Sequence, residues 1–244
     1  KKQNSQHINE DTNMIYVISD LHGYPFVKFL ELLNKANFSS DDYLFILGDV
    51  IDRGMYGTEY LKWLLYQENV ELLLGNHEAM LLSCSFLFEE VNEENLRNLT
   101  PESLELLANW KDNGAKWTLE GFYTMEQDDR ISIIEYLREA PLYEIVSVKN
   151  QDFLLTHSGL KNFDIKKKLS EYTANDFLWN RPKLSDRYYD DIKTVFGHSP
   201  TFMYGKEYSG KIIKTDTWIN IDVGAGYGYS PILLRIDDMK EFSL

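Results

Sequence analysis

The chain has 244 residues, 43% of them apolar and 14% aromatic, which is enough to bury one sizeable core within a single domain, 1–244. A formal net charge of −14 and a pI near 4.8 argue against sequence-independent binding to nucleic acid and against docking on anionic lipid. The single cysteine, Cys84, lies in the apolar run AMLLSCSFLF; it excludes an internal disulfide and a cysteine metal cluster, and it reads as a core residue.

Residues 1–13 (KKQNSQHINEDTN) form a polar leader without the apolar centre of a signal peptide, and no apolar stretch is long enough to span a bilayer. A reducing, cytoplasmic setting is the expectation. Met14–Asp20 (MIYVISD) reads as a buried strand ending in Ser19-Asp20-Leu21-His22-Gly23. Strand alternation would point Asp20 and His22 the same way, as half of a metal site. Pro25 suits a helix start, and Phe26, Phe29, Leu30 and Leu33 recur at helical spacing. Tyr43–Leu47 is a second strand, with Asp49 at its C-terminal mouth and Asp52 and Arg53 on the loop beyond. Gly57–Gln67 is helical. Val70–Leu74 is a third strand, ending in Gly75-Asn76-His77-Glu78. Three strand–loop–helix units in succession predict a parallel sheet whose ligands collect beyond the C-terminal strand ends.

From Glu78 to about Ala140 the pattern is mainly helical and reads as a cap inserted within the domain. Glu93–Glu94 and Pro101–Asn109 resemble solvated helix starts, and Asn109–Phe122 a turn flanked by aromatics. Strand signals return at Leu142–Val148 and Asp152–Thr156, a hairpin across Lys149-Asn150-Gln151, and lead into His157-Ser158-Gly159. A charged helical piece is expected at Ile165–Tyr172. Asp176–Pro182 carries Arg181. Lys193–Phe196 is a strand ending in Gly197-His198-Ser199-Pro200, and strands at Lys211–Asp222 and Ile232–Ile236 are joined by GAGYG. The expected fold is α/β, a two-sheet β-sandwich flanked by helices, with a helical cap.

Four of the five histidines, His22, His77, His157 and His198, follow strands and lie within two residues of glycine or asparagine. With Asp20, Asp49 and Asn76 they form a donor set for two metals. Asp20 and His22 can hold one ion, Asn76, His157 and His198 the other, and Asp49 can bridge them. Nitrogen and oxygen donors without sulfur suit two divalent ions, Mn first, with Fe or Zn also fitting. Such a pair, roughly 3.5–4 Å apart, polarises a phosphoryl group. His77, adjacent to Asn76, is better placed as a general acid that Asp52 orients. Arg53 and Arg181 can grip phosphate oxygens, although Arg181 equally suits a surface salt bridge. Glu78 reads as a residue that favours the start of its helix.

The motifs SDLHG (19–23), GDVIDRG (48–54), GNHE (75–78), HSG (157–159) and GHSP (197–200) stand in unbroken order across roughly residues 14–235. They resemble the calcineurin-type metallophosphoesterases, and within them the phosphoprotein phosphatases, in particular the compact bacterial and phage members. The resemblance implies Asp20, His22, Asp49, Asn76, His157 and His198 as metal ligands, His77 and Asp52 as the acid dyad, and Arg53 and Arg181 as phosphate clamps. NGAKWTL and INIDVGAGYG are similar to further stretches of bacterial relatives. Ser19, Ser158 and Ser199 depart from the usual glycine, glycine and threonine without removing a ligand. The implied activity is hydrolysis of phosphoserine or phosphothreonine by a metal-bridging hydroxide. The alternative is symmetrical hydrolysis of diadenosine polyphosphates, or of another small phosphate ester. Enzymes of that second kind usually carry alanine where this chain has Asp52, which favours the phosphatase reading.

Overall fold

The computed structural model describes residues 13–88 and 100–244. The polar leader up to residue 12 and the Glu93–Glu94 helix start lie outside the described residues. β1 (Ile15–Ile18), β2 (Tyr43–Ile46) and β3 (Val70–Leu72) run parallel, with Ile15 opposite Tyr43 and Leu44 opposite Val70. Their connections are the expected helices, α1 (Phe26–Lys35) and α2 (Gly57–Leu64). α3 (Asn76–Ser83) follows β3 directly. The hairpin of β4 (Tyr143–Val148) and β5 (Gln151–Thr156) turns at Lys149 and Asn150, whose φ of 47° and 68° form the left-handed pair of a tight two-residue turn. β6 (Ile192–Phe196), β7 (Ile213–Lys214) and β8 (Trp218–Asn220) extend that second sheet, while β9 (Leu233–Arg235) and β10 (Lys240–Phe242) complete the first. The described strands make two sheets of five, ordered β10-β9-β1-β2-β3 and β4-β5-β6-β8-β7.

The sheets face each other across a layer that includes Val17, Phe45, Leu47, Phe153, Leu155, Val195 and Ile219. The alternate residues Tyr16, Ile18, Leu44 and Ile46 point into a second core beneath the helices. Both faces of the central strands are therefore apolar, which is why these runs read as nearly continuous hydrophobic stretches. The cap comprises α3, α4 (Pro101–Asp112), α5 (Lys116–Thr124) and α6 (Gln127–Glu139) among the described residues. Thr100 caps α4 by accepting from the Ser103 amide at 3.2 Å, and Pro101 occupies its first position. Trp110, Phe122, Ile133 and Leu137 of the cap pack in the same cluster as Tyr60 and Leu64 of α2. Burying each such side chain contributes about 1.5–3 kcal/mol.

The structure departs from one expectation and adds two features to the rest. Ile165–Tyr172 is not a helix; it forms turns and one short 3₁₀ segment, Leu169–Glu171. Local bonds compete there with helical ones: Asp164 accepts from the Lys166 amide at 2.9 Å, and the Tyr172 hydroxyl accepts from the Asp164 amide at 2.9 Å. GAGYG does join two strands, β8 and β9, and these belong to different sheets, so the segment crosses between them. β10 closes an edge where no strand was expected. No described helix is long and apolar enough to cross a membrane.

Candidate active site

The parallel strands β1, β2, β3, β5, β6 and β8 end on one rim of the sandwich, and the polar loops meet there. β1 stops at Ile18, so strand alternation does not align Asp20 with His22. Both lie on the following loop in left-handed backbone, with φ of 51° and 44°. Asp49, Asp52, Arg53 and His198 share that region, with φ between 57° and 67°. Non-glycine residues held there cost on the order of 1 kcal/mol or more each. Loop-to-loop bonds hold them: the amides of Asp20, His22 and Gly23 donate to the carbonyls of Gly48, Asp49 and Val50 at 3.1, 2.9 and 2.8 Å.

Asp49 is the centre of the arrangement. Its Oδ2 lies 3.7 Å from His22 Nε2, 3.8 Å from His77 Nε2 and 3.5 Å from His157 Nε2. Two donor groups of metal-binding spacing share it, His22–Asp49–His77 and Asp49–His157–His198. Asp20 is set slightly further out, with Oδ1 4.0 Å from His22 Nε2 and Oδ2 accepting from the His198 amide at 2.9 Å. Asn76 Oδ1 lies 2.9 Å from His157 Nε2, and His198 Nδ1 lies 3.2 Å from the same nitrogen.

The protons on these rings follow from their partners. His157 Nδ1 faces the Leu47 carbonyl at 2.7 Å and His22 Nδ1 faces the Ile51 carbonyl at 3.0 Å. A carbonyl only accepts, so each Nδ1 carries the hydrogen and each neutral ring turns its Nε2 lone pair inward. At His157 that lone pair meets Asn76 Oδ1 and Asp49 Oδ2, all acceptors. Converging acceptors with no proton between them form a cradle for a cation. His198 Nε2 is buried without a hydrogen-bond partner. Burial first, and then nearby Asp20, pushes the Asp222 carboxyl well up; burial pushes Asp49 well up, with Glu78 and Asp20 adding to it. Burial, then neighbouring His77 and Arg53, holds His22 well below the ordinary imidazole range. The donor set therefore fits divalent cations on its own chemistry.

His77 stands apart by its partner. Its Nδ1 donates to Asp52 Oδ2 at 2.6 Å, and Asp52 also accepts from Trp110 Nε1 at 2.8 Å and from Thr118 Oγ1 at 2.5 Å. Burial disfavours the charged ring, but the carboxylates of Asp49 and Asp52 outweigh it, and the His77 pKa rises. Arg53 reaches over both rings, with Nη1 2.9 Å from His22 Nε2 and Nη2 3.3 Å from His77 Nε2. Arg181 sits at the exposed rim, its Nη1 donating to the His198 carbonyl at 3.4 Å.

Sequence reasoning undervalued four residues. Glu78 does open α3, but its carboxylate also accepts from the amides of Asp49 at 2.8 Å, Val50 at 2.9 Å and Gly75 at 3.1 Å, tying two site loops together. Trp110 and Thr118 come from the cap and hold Asp52. Thr118 had a signal in NGAKWTL; Trp110 had none. Asp222, within INIDVGAGYG, is buried beside the site and accepts from the Gly224 amide at 2.9 Å.

A family model described as calcineurin-like phosphoesterase matches residues 14–221. The chain is 26% identical over 188 residues to a symmetrical bis(5'-nucleosyl)-tetraphosphatase of Haemophilus ducreyi, covering 76% of this chain and 58% of that one. It thus spans little more than half the length of that relative. It is 27% identical over 225 residues to serine/threonine-protein phosphatase 2 of Salmonella typhimurium, covering 89% of this chain and 91% of that one. A solved structure provisionally described as a diadenosine tetraphosphatase shares the fold, with a TM-score of 0.62 at 16% identity over 97% of this chain and 95% of that one.

Proposed function

This chain belongs to the calcineurin-like phosphoesterase family, a family of metal-dependent hydrolases, and from that premise we propose that it cleaves phosphate compounds at a dinuclear centre held by Asp20, His22, Asp49, Asn76, His157 and His198. The observation that carries this reading is the sharing of Asp49 by two donor groups. Two divalent ions there, Mn in the first place, would neutralise the phosphoryl oxygens and activate water as the nucleophile.

The protein's own groups do the rest. Arg53 and Arg181 bind phosphate oxygens from two sides of the crevice, as planar donors suited to anions. Asp52 holds the Nδ1 proton of His77, so the charged ring is favoured and its Nε2 proton is the one to transfer. That proton passes to the departing oxygen as the P–O bond breaks, while water adds to phosphorus. Trp110 and Thr118 fix Asp52, and Glu78 fixes the loops of Asp49 and Asn76.

For the substrate, the relatives support symmetrical cleavage of a bis(5'-nucleosyl) polyphosphate into two nucleotides, the reading the sequence had ranked second. A second reading, dephosphorylation of serine or threonine in proteins, is supported by the intact Asp52–His77 pair and by the likeness to the Salmonella phosphatase along nearly its whole length. The deciding experiment loads the full chain with Mn and assays diadenosine tetraphosphate against a phosphothreonine peptide. Higher kcat/KM on the dinucleotide, with ADP as product, is expected; preference for the peptide reverses the ranking. Failure on both, and on an activated aryl phosphate, overturns the hydrolase reading for this chain.

A further inference from the structure

Beside Arg53 a groove of about 290 Å³ opens that the hydrolytic groups do not fill, with Tyr24, Pro25, Tyr229 and Gly226 among its walls and His22 and Arg53 on the side facing the site. None of the described residues lining it carries a carboxylate, although the chain as a whole is strongly acidic. The groove is thus continuous with Arg53 and presents no carboxylate of its own to an anion.

Its walls are built and held. The segment Ala225–Tyr227 is a 3₁₀ turn bounded by Gly224 and Gly228, with φ of 94° and 93°. This turn lays the backbone of Gly226 against the site: a Cβ there would stand 2.7 Å from the His22 ring and 3.0 Å from Arg53 Nη1. The Tyr227 ring lies 5.0 Å from the Arg53 guanidinium carbon, a cation–π contact that orients the arginine. The Tyr229 ring stacks on Phe202, with centroids 5.9 Å apart and planes 20° from parallel. On the opposite wall the Tyr24 carbonyl accepts from the Tyr60 hydroxyl at 3.0 Å, and the Tyr24 amide donates to the Leu21 carbonyl at 2.8 Å. At Gly228 a side chain would meet nothing within 4 Å, so the groove is open at that lip.

Resting on the hydrolase reading above, we propose that this groove is the subsite for the nucleobase of a nucleoside phosphate, the aromatic walls of Tyr24 and Tyr229 receiving the flat ring while Arg53 holds the phosphate to which it is joined. Aromatic walls favour a planar group through stacking that tolerates any base, and a guanidinium at the inner end favours its phosphate. The volume suits a compact heteroaromatic group with its sugar rather than an extended peptide.

The test measures kcat/KM of the Mn-loaded full chain on diadenosine tetraphosphate and on inorganic tripolyphosphate, which shares the anhydride and lacks the base. In Tyr229→Ala the ratio of the two should fall about tenfold, carried by KM, as expected for the loss of a base–aromatic stack. Tyr229→Phe, which keeps the ring, should restore the ratio. Equal losses on both substrates, or no change in the ratio, overturn the proposal. Saturation-transfer NMR with adenosine alone provides a readout without hydrolysis. Adenosine contact in the wild-type chain that disappears in Tyr229→Ala supports the subsite, even if neither phosphate compound is cleaved and the hydrolase reading falls. Absence of adenosine contact in the wild-type chain overturns the subsite while leaving hydrolysis to be judged by its own assay.

Discussion

The crevice at the strand ends and the outer edge formed by β3 and β4 both gather carboxylates that folding partly strips of water, and they treat them differently. In the crevice, Asp49 meets three imidazole nitrogens within 3.8 Å, and Asp52 receives hydrogen bonds from His77, Trp110 and Thr118. At the edge, exposed Glu71 on β3 and half-buried Glu144 on β4 line one groove, and among the described residues neither has an ion-pair partner. Partial burial pushes both carboxyls up, and at Glu71 the charge of Glu144 adds to the shift. A carboxyl pushed up by desolvation alone is therefore no mark of a site. What distinguishes the crevice is company: rings with inward lone pairs and a guanidinium converge on its carboxylates, a set of groups that can take cations and an anion.

The contrast can be broken at the dyad. His77→Ala is expected to lower kcat by about 10²–10⁴-fold while metal content by elemental analysis persists. The loss should be greater on a phosphothreonine peptide, whose leaving alkoxide needs the proton, than on a nucleoside polyphosphate, whose leaving phosphate is already a weak base. Loss of metal instead would assign His77 to the donor set, an outcome its place in the His22–Asp49–His77 group makes concrete.

Glu78 sharpens the comparison by asking what its company does for an acid. Glu78→Gln keeps the shape but replaces one accepting oxygen with a donor that faces backbone amides. Metal affinity, read by competition with a chelator, is expected to fall about 10–100-fold, the usual effect of losing a partner that orients ligands. An unchanged affinity with a lowered melting temperature would make Glu78 a purely structural tie.

The smallest effect belongs to the edge. A carboxyl whose folded pKa is raised binds its proton more tightly in the folded chain. Its ionisation therefore destabilises the fold at neutral pH, and the penalty is relieved as pH falls through the folded pKa toward the unfolded value. Glu71→Gln removes the charge, so Tm at pH 7 should rise by about 1–2 °C, as for an exposed position. The gain should vanish near pH 4 in a thermal melt series. A gain independent of pH would place its cause elsewhere.

The elements of this chain and its family were largely legible in one dimension. β-Branched runs ending in glycine and polar residues marked the strands, and the residue types at those ends named a nitrogen and oxygen donor set. Local pattern carries that information because alternation and turn chemistry act over a few residues. Tertiary structure alone decided how the donors converge. It put Asp20 and His22 on left-handed loops rather than on a strand face, and made Asp49 common to two donor groups. It also turned Glu78 from a helix-start residue into a tie between loops, and brought Trp110 from the cap onto Asp52. These are contacts between residues as far as 149 positions apart, as Asp49 and His198 are, set by the packing of helices on sheets, and no short-range pattern encodes them.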